Sequence, residues 1–276
     1  MRSILYISVL LFLSGTTSAQ KKPVQSNHRK GQVYTFWGWN AAEYGKSDMH
    51  FKGIDYDFSL YNVKAQDLPR RPLREPQNNY GIGYFFKDNM AIIFSFDHMK
   101  YVMEQNQTVH MKGTIARNGP HKGEYDGEKV LTADFLTFDH TDGLNYITLE
   151  FEKYHSWYAT KNKKFMVSGM WGGGVGILNP RTDAVLLNYP RSNRYHISGY
   201  GFAAKAAAEI TVLKFITGKI ENKFGYINMP DVAMHEKDIE GQAKHAFFFS
   251  EMVWSIGFNF SLINRKNQDN KSGNNY

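Results

Sequence analysis

His196 and Ser198, in Tyr195-His196-Ile197-Ser198-Gly199-Tyr200-Gly201, are of the types that form a general base and its nucleophile. In extended backbone, residues two apart point to the same side, so imidazole and hydroxyl share one face. That pairing is suited to acyl transfer. A second set, His110, His121 and His140 with Glu124, Asp126, Asp139 and Asp142, carries donors for a divalent cation. Its spacings match no ligand motif, and Asp139-His140-Thr141-Asp142-Gly143 lacks the alternating carboxylates of a calcium loop. These are read as solvated loop residues, and no metal is expected. Residues 170–176 (MWGGGVG) are rich in glycine but open no helix, so they are not a phosphate-binding loop. On a strand, glycines at alternate positions give room to a large neighbour. Arg70, Arg71 and Arg74 lie in a proline-rich stretch, and arginine forks can grip lipid phosphates.

The elements that must hold these residues are strands. In residues 246–262 (AFFFSEMVWSIGFNFSL), Phe248, Met252, Trp254, Ile256, Phe258, Phe260 and Leu262 share one register with Ser250. The other register turns polar after Phe247 and Phe249, through Glu251, Ser255, Asn259 and Ser261. Alternate residues of a strand face opposite ways, so one side is greasy and the other wet. The segment is longer than an average soluble strand and long enough to cross a bilayer. The same design recurs in 32–44, 55–62, 80–86, 90–103, 144–155, 164–177, 194–212 and 214–228. Turns at 87–89, 159–163 and 214–218 are short, whereas connections at 64–79, 104–143, 178–193 and 229–244 are long. Outer-membrane barrels show this asymmetry, with short periplasmic turns and long external loops. The last eight of these strands begin near Asp55, which leaves 32–44 over. Either Phe36–Trp39 extends the first of eight, or a missed strand makes ten.

The wet faces collect Asp55, Asp57, Asp97, Glu150, Glu152, Lys205, Glu209, Lys219, Glu221, Lys223 and Glu251. Buried charge without a partner is costly. Both signs together suit a narrow lumen cross-linked by ion pairs, and side chains just fill a barrel of eight strands. A soluble sandwich would show similar alternation but would rarely need so many long, aromatic-tipped strands. The expected fold is therefore all-β: a transmembrane antiparallel up-and-down β-barrel of eight strands, with ten as the fallback. Each lumen charge is read as a structural partner, with an ion pathway as the functional reading of intramembrane charge.

Residues 1–19 have the form of a secretory signal, with Arg2, an apolar run over 4–13 and small residues before Gln20. The mature domain is then 20–276, with a polar, mobile N-terminal tail over 20–31 and a polar C-terminal tail over 264–276. The net charge of +7 falls to +6 once Arg2 is removed. Export argues against nucleic acid as the counter-charge and in favour of anionic lipid phosphates. The chain has no cysteine, which removes disulfides, thiolate metal sites, cysteine nucleophiles and a lipoprotein anchor.

The stretch around His196 and Ser198 resembles the lipid A 3-O-deacylases, eight-stranded barrels with a His-x-Ser pair and a following glutamate on the outer wall. That resemblance implies His196 as base, Ser198 as nucleophile and Glu209 as orienting acid. It covers some fifteen residues. The family's asparagine after the serine is Gly199 here, and its proline-containing interval before the glutamate is replaced by FAAKAAA over 202–208. Strand parity then turns Glu209 into the lumen unless a bulge restores it. The expected function is that of a small Gram-negative outer-membrane barrel with a non-enzymatic binding, envelope-integrity or complex-forming role. The alternatives are a lipid A ester hydrolase and a narrow channel. No cofactor is expected, and the expected partners are outer-membrane lipids, including lipopolysaccharide.

Overall fold

The computed structural model describes residues 27–67, 77–140 and 142–262. The expected signal segment over 1–19, the expected polar tail over 264–276 and Arg70, Arg71 and Arg74 lie outside the described residues. Among the described residues, seventeen strands make up the regular structure. They are β1 (Gln32–Tyr44), β2 (Ser47–Gly53), β3 (Tyr56–Val63), β4 (Ala65–Gln66), β5 (Asn78–Lys87), β6 (Met90–Met99), β7 (Val102–Met103), β8 (Thr108–Ile115) and β9 (Gly123–Val130). The chain continues with β10 (Leu136–Asp139), β11 (Leu144–Ala159), β12 (Phe165–Leu178), β13 (Arg181–Leu186), β14 (Arg194–Tyr195), β15 (Gly199–Val212), β16 (Ile216–Ala233) and β17 (Gly241–Ser261).

Eight of these, in the order β1-β5-β6-β11-β12-β15-β16-β17, form an antiparallel meander, and β17 closes on β1 from Ser261↔Gln32 to Phe249↔Tyr44. Closure leaves no free edge in the ring. The fold is an antiparallel up-and-down β-barrel of eight strands. Its outer wall carries the greasy register: Trp37, Ile82, Phe94, Leu149, Val175, Phe202, Ile220, Phe248, Trp254 and Phe258 are all exposed. From Phe248 to Phe258 this register runs about 33 Å along the strand, or about 25 Å of height at a tilt of about 40°, the height of a transmembrane barrel's apolar band. Aromatics gather toward both rims, with Tyr84, Phe86, Trp157 and Phe260 at one end and Tyr80, Tyr200 and Phe248 at the other.

At the rim with Phe86 and Phe260, the strands join by short turns. Asp88-Asn89 links β5 to β6, and Asn89 takes φ 63°, which an asparagine adopts at little cost. At the opposite rim the long connections fold into a second body. β17 runs on past the ring, and its first six residues pair with β2, from Gly241↔Gly53 to Ala246↔Asp48. β2 then pairs with β3, β3 with β8, and β8 with β9. Gly113 of β8 has φ 135° and lies so close to the Phe58 backbone that no Cβ would fit. A small second sheet, β14-β13-β10-β7-β4, faces this extension. Between them lie Met49, Phe51, Phe58, Leu60, Met111, Phe135, Leu136, Phe138 and Leu186, all fully buried. This cap core continues through Tyr101 and Phe247, 4.9 Å apart, to Phe249 and Tyr146 inside the ring.

Several expectations change. The segment expected as a barrel strand over 55–62 is β3 of the cap, so its Tyr56, Phe58 and Leu60 face a protein core rather than lipid. Alternation is the same in either setting. With β3 outside the ring, β1 is simply the first of eight, and no ten-strand ring is needed. The long polar connection over 104–143 holds β8, β9 and β10 and buries Met111, Phe135 and Phe138. The connections over 178–193 and 229–244 likewise contain β13 and the prolonged ends of β16 and β17.

Candidate functional site

The barrel interior is packed with side chains rather than open. β11 brings Glu150 and Glu152 inward, and β12 opposes them with Gly174 and Gly172. A Cβ on Gly174 would lie 2.7 Å from the Glu150 side chain. The glycines therefore leave room for Lys205, which enters from β15 opposite Gly172. Lys205 donates to Glu150 and Glu152 and lies 3.4 Å from Glu221. Lys219 lies 3.0 Å from Glu221 and 3.3 Å from Glu152. Lys223 donates to Asp97 at 2.6 Å and to Glu150 at 3.0 Å. Three ammonium groups thus tie four carboxylates, Asp97, Glu150, Glu152 and Glu221, into one buried lattice; neutral donors complete it.

Tyr34 and Tyr154 both donate to Glu152. Asn79 donates to Asp97 at 2.6 Å and Glu251 at 3.0 Å, and Asn40 donates to Asn79 at 2.5 Å. Thr148 donates to Glu150 at 2.9 Å. These neutral donors matter because a desolvated carboxylate needs more than one partner. Toward the short turns, the N-terminal segment enters the ring. His28 stacks on Phe85 and Tyr154, with ring centroids 5.3 Å and 4.1 Å away, and its Nε2 lies 2.7 Å from Glu209 Oε1. The expected mobile tail over 20–31 is thus anchored from Asn27 onward. Sequence reasoning missed His28, since nothing in a polar run signals that one imidazole will occupy a barrel mouth. Tyr34 was readable from strand parity alone.

Asp97, Glu150, Glu152, Lys205, Lys219, Glu221, Lys223 and Glu251 lie together in the lumen. Asp55 and Asp57 do not, because β3 is outside the ring. Asp55 accepts from Tyr189 at 2.8 Å and pairs with Arg117, and Asp57 pairs with His50 and Lys52 on the cap surface.

The His196, Ser198 and Glu209 set is not assembled. Residues 196–198 are a break between β14 and β15, so the pair does not share a strand face. His196 Nε2 lies 2.9 Å from Asp231, and Ser198 Oγ donates to the His196 carbonyl at 3.2 Å and is buried. Glu209 is eleven residues beyond Ser198, about 36 Å in extended backbone, and is turned inward to His28. A base, nucleophile and orienting acid must lie within hydrogen-bond reach, and these do not.

The loop histidines also separate. His110 pairs with Asp126 at 3.1 Å and His121 with Asp134 at 3.0 Å, both at the surface. His140 is buried, accepts or donates at 3.1 Å with Thr182, and lies 5.9 Å from the ring of His245. No group of three or more metal-binding side chains converges among the described residues. Burial holds the His140 imidazole well below its usual pKa, with His245 adding to the effect. In the cap extension of β17, burial pushes His245 down to about 3. Burial, with Arg117 behind it, pushes His235 down to about 4, and its Nε2 meets Tyr56 Oη at 2.7 Å.

No protein-family model and no curated protein matches the chain. Among solved structures, it is similar to the outer membrane protein OprG from Pseudomonas aeruginosa, at 10% identity over 86% of this chain and 99% of that one, with a TM-score of 0.42. It is similar also to Ail, the attachment invasion locus protein of Yersinia pestis, at 11% identity over 84% and 99%, with a TM-score of 0.30. The outer membrane protease OmpT from Escherichia coli aligns at 8% identity over 83% and 97%, with a TM-score of 0.36. Likeness this distant carries no functional argument.

Proposed function

We propose that the protein is a non-enzymatic outer-membrane β-barrel whose capped outer end serves as a binding or complex-forming platform. The observation that carries this reading is the cap itself. The long connections fold into one body whose core is continuous with the upper lumen. In an outer membrane the short turns face the periplasm and the cap faces outward. The cap's outer sheet presents alternating charge, with Lys112 and His110 both at 3.1 Å from Asp126, and Lys52 3.7 Å from Asp57. Such a surface is polar and carries both signs of charge, which suits recognition of a polar partner. Arg70, Arg71 and Arg74 fall in the sequence between β4 and β5, and arginine forks of this kind would grip lipopolysaccharide phosphates.

One experiment separates this reading from the two alternatives. The protein is purified with its bound lipid, recorded in planar bilayers, and lipid A is weighed by mass spectrometry from cells with and without the gene. The reading expects no conductance steps, unchanged lipid A mass, and less co-purifying lipopolysaccharide for Arg70→Gln/Arg71→Gln/Arg74→Gln. A missing acyl chain or stepwise conductance overturns it.

A further inference from the structure

The ring closes on itself, but the cap sheet that grows from it does not. Its last strand, β9, pairs with β8 alone. In an antiparallel ladder successive residues send their N–H and C=O groups to opposite sides. Leu131 N–H donates to the Gln107 carbonyl on the β8 side, so Gly123, Tyr125, Gly127 and Lys129 also face β8. The β3–β8 pair agrees, because Ala116 N–H donates to the Asp55 carbonyl and commits the even residues of β8 to β3. Glu124, Asp126, Glu128 and Val130 are left with N–H and C=O directed at the open edge, and their side chains are exposed.

Such an edge is a template for another chain, and proteins usually blunt it with lysine, proline, a bulge or brevity. β9 has eight residues, no proline and no register shift. Its one lysine, Lys129, lies on the inner face, 4.9 Å from the Phe135 ring centroid. By contrast, the terminal strands of the second sheet, β14 and β4, have two residues each. What β9 carries instead is one sign of charge: Glu124, Asp126 and Glu128 share its outer face. Lys112 and His110 meet Asp126, whereas Glu124 and Glu128 have no ion pair among the described residues. A second copy pairing here would set like charges opposite each other, which is unfavourable. A strand with cationic side chains at alternate positions would meet them favourably. On the inner face, a Cβ placed on Gly127 would meet nothing within 4 Å. That leaves a notch between Tyr125 and Lys129 for one apolar side chain of the incoming strand.

We propose that β9 is a docking edge for an extended segment of another protein, with lysine or arginine at alternate positions, which adds to the cap as a further strand. This rests on the reading of the cap as a binding platform and gives that platform a partner chemistry and a mode of attachment.

The mature protein in phosphatidylcholine nanodiscs is titrated with a fluorescent peptide of about seven residues that alternates lysine with valine. Binding is followed by anisotropy and by residue-resolved hydrogen exchange. Saturable binding is expected, with the amides of Glu124, Asp126 and Glu128 gaining protection while those of Tyr125, Gly127 and Lys129 are protected throughout. Glu124→Lys/Glu128→Lys should weaken binding by about tenfold or more. Glu128→Pro, which removes an outward N–H and leaves the β8 ladder intact, should weaken it as well. Continued protection of Tyr125 and Gly127 shows that β9 is still folded in each variant. The control, Glu236→Lys/Asp238→Lys in the β16–β17 connection, makes the same charge change and should alter nothing. No added protection on β9, equal weakening by the control, equal binding of a glutamate–valine peptide, or a dimer of the free protein paired through β9 overturns the proposal. The conductance and lipopolysaccharide measurements decide the platform reading separately, so the two can fail independently.

Discussion

Lys205 is the residue whose loss the barrel should tolerate least. It sits between Glu150, Glu152 and Glu221 with all four side chains buried. Lys205→Met keeps the apolar stem and removes the charge, leaving desolvated carboxylates short of a partner. Breaking a buried ion cluster from one side costs about 3–5 kcal/mol, and urea unfolding in micelles, followed by tryptophan fluorescence, should show it. Lys52→Met, whose partner Asp57 is half-exposed, should move the same midpoint by less than about 1 kcal/mol. Comparable small shifts in both would mean the lattice is not holding the ring. By contrast, His196→Ala and Ser198→Ala should leave lipid A mass unchanged, because neither residue meets Glu209. At this scale strand parity was informative: it turned Glu150, Lys205, Lys223 and Glu251 inward, since each lies on a strand whose other face is greasy. It misplaced Asp55 and Asp57, because a cap strand packed on a protein core alternates just as a lipid-facing strand does. It could not find His28, whose position depends on tertiary packing alone.

The cap and the ring should respond differently to acid. His140 and His245 are held neutral inside the cap core, whereas unfolded histidine titrates near 6.5. Their folded values are depressed, so the stability they permit is present above about pH 6.5 and declines as pH falls below it. Each contributes up to about 1.4 kcal/mol per pH unit in that window. Hydrogen exchange at pH 7 and pH 5 should therefore show β2, β3, β8 and β10 losing protection while β12 and β15 keep theirs. In His140→Leu/His245→Phe the difference between the two pH values should shrink. Equal loss in cap and ring would contradict this account. The cap was the element least legible in the sequence. Its strands β4, β7, β10 and β14 have two to four residues each, too short for periodicity to register. The ring strands, at ten to twenty-one residues, stood out clearly.

At the scale of the whole molecule, the exposed wall and the buried charge make sense together only in a bilayer. Water on Trp37, Phe94, Phe202 and Trp254 would drive association, so the mature protein should stay monomeric in detergent and aggregate when detergent is removed. The native chain has no cysteine, so single cysteines report location cleanly. Glu128→Cys places a thiol on the exposed edge strand of the cap, and Asp88→Cys places one on the β5–β6 turn. The most direct measurement is labelling of these two variants in cells with a membrane-impermeant maleimide. A capped barrel spanning the outer membrane predicts that Glu128→Cys reacts on intact cells and Asp88→Cys reacts only after the outer membrane is permeabilised. Equal labelling of both on intact cells, or of neither, would contradict it.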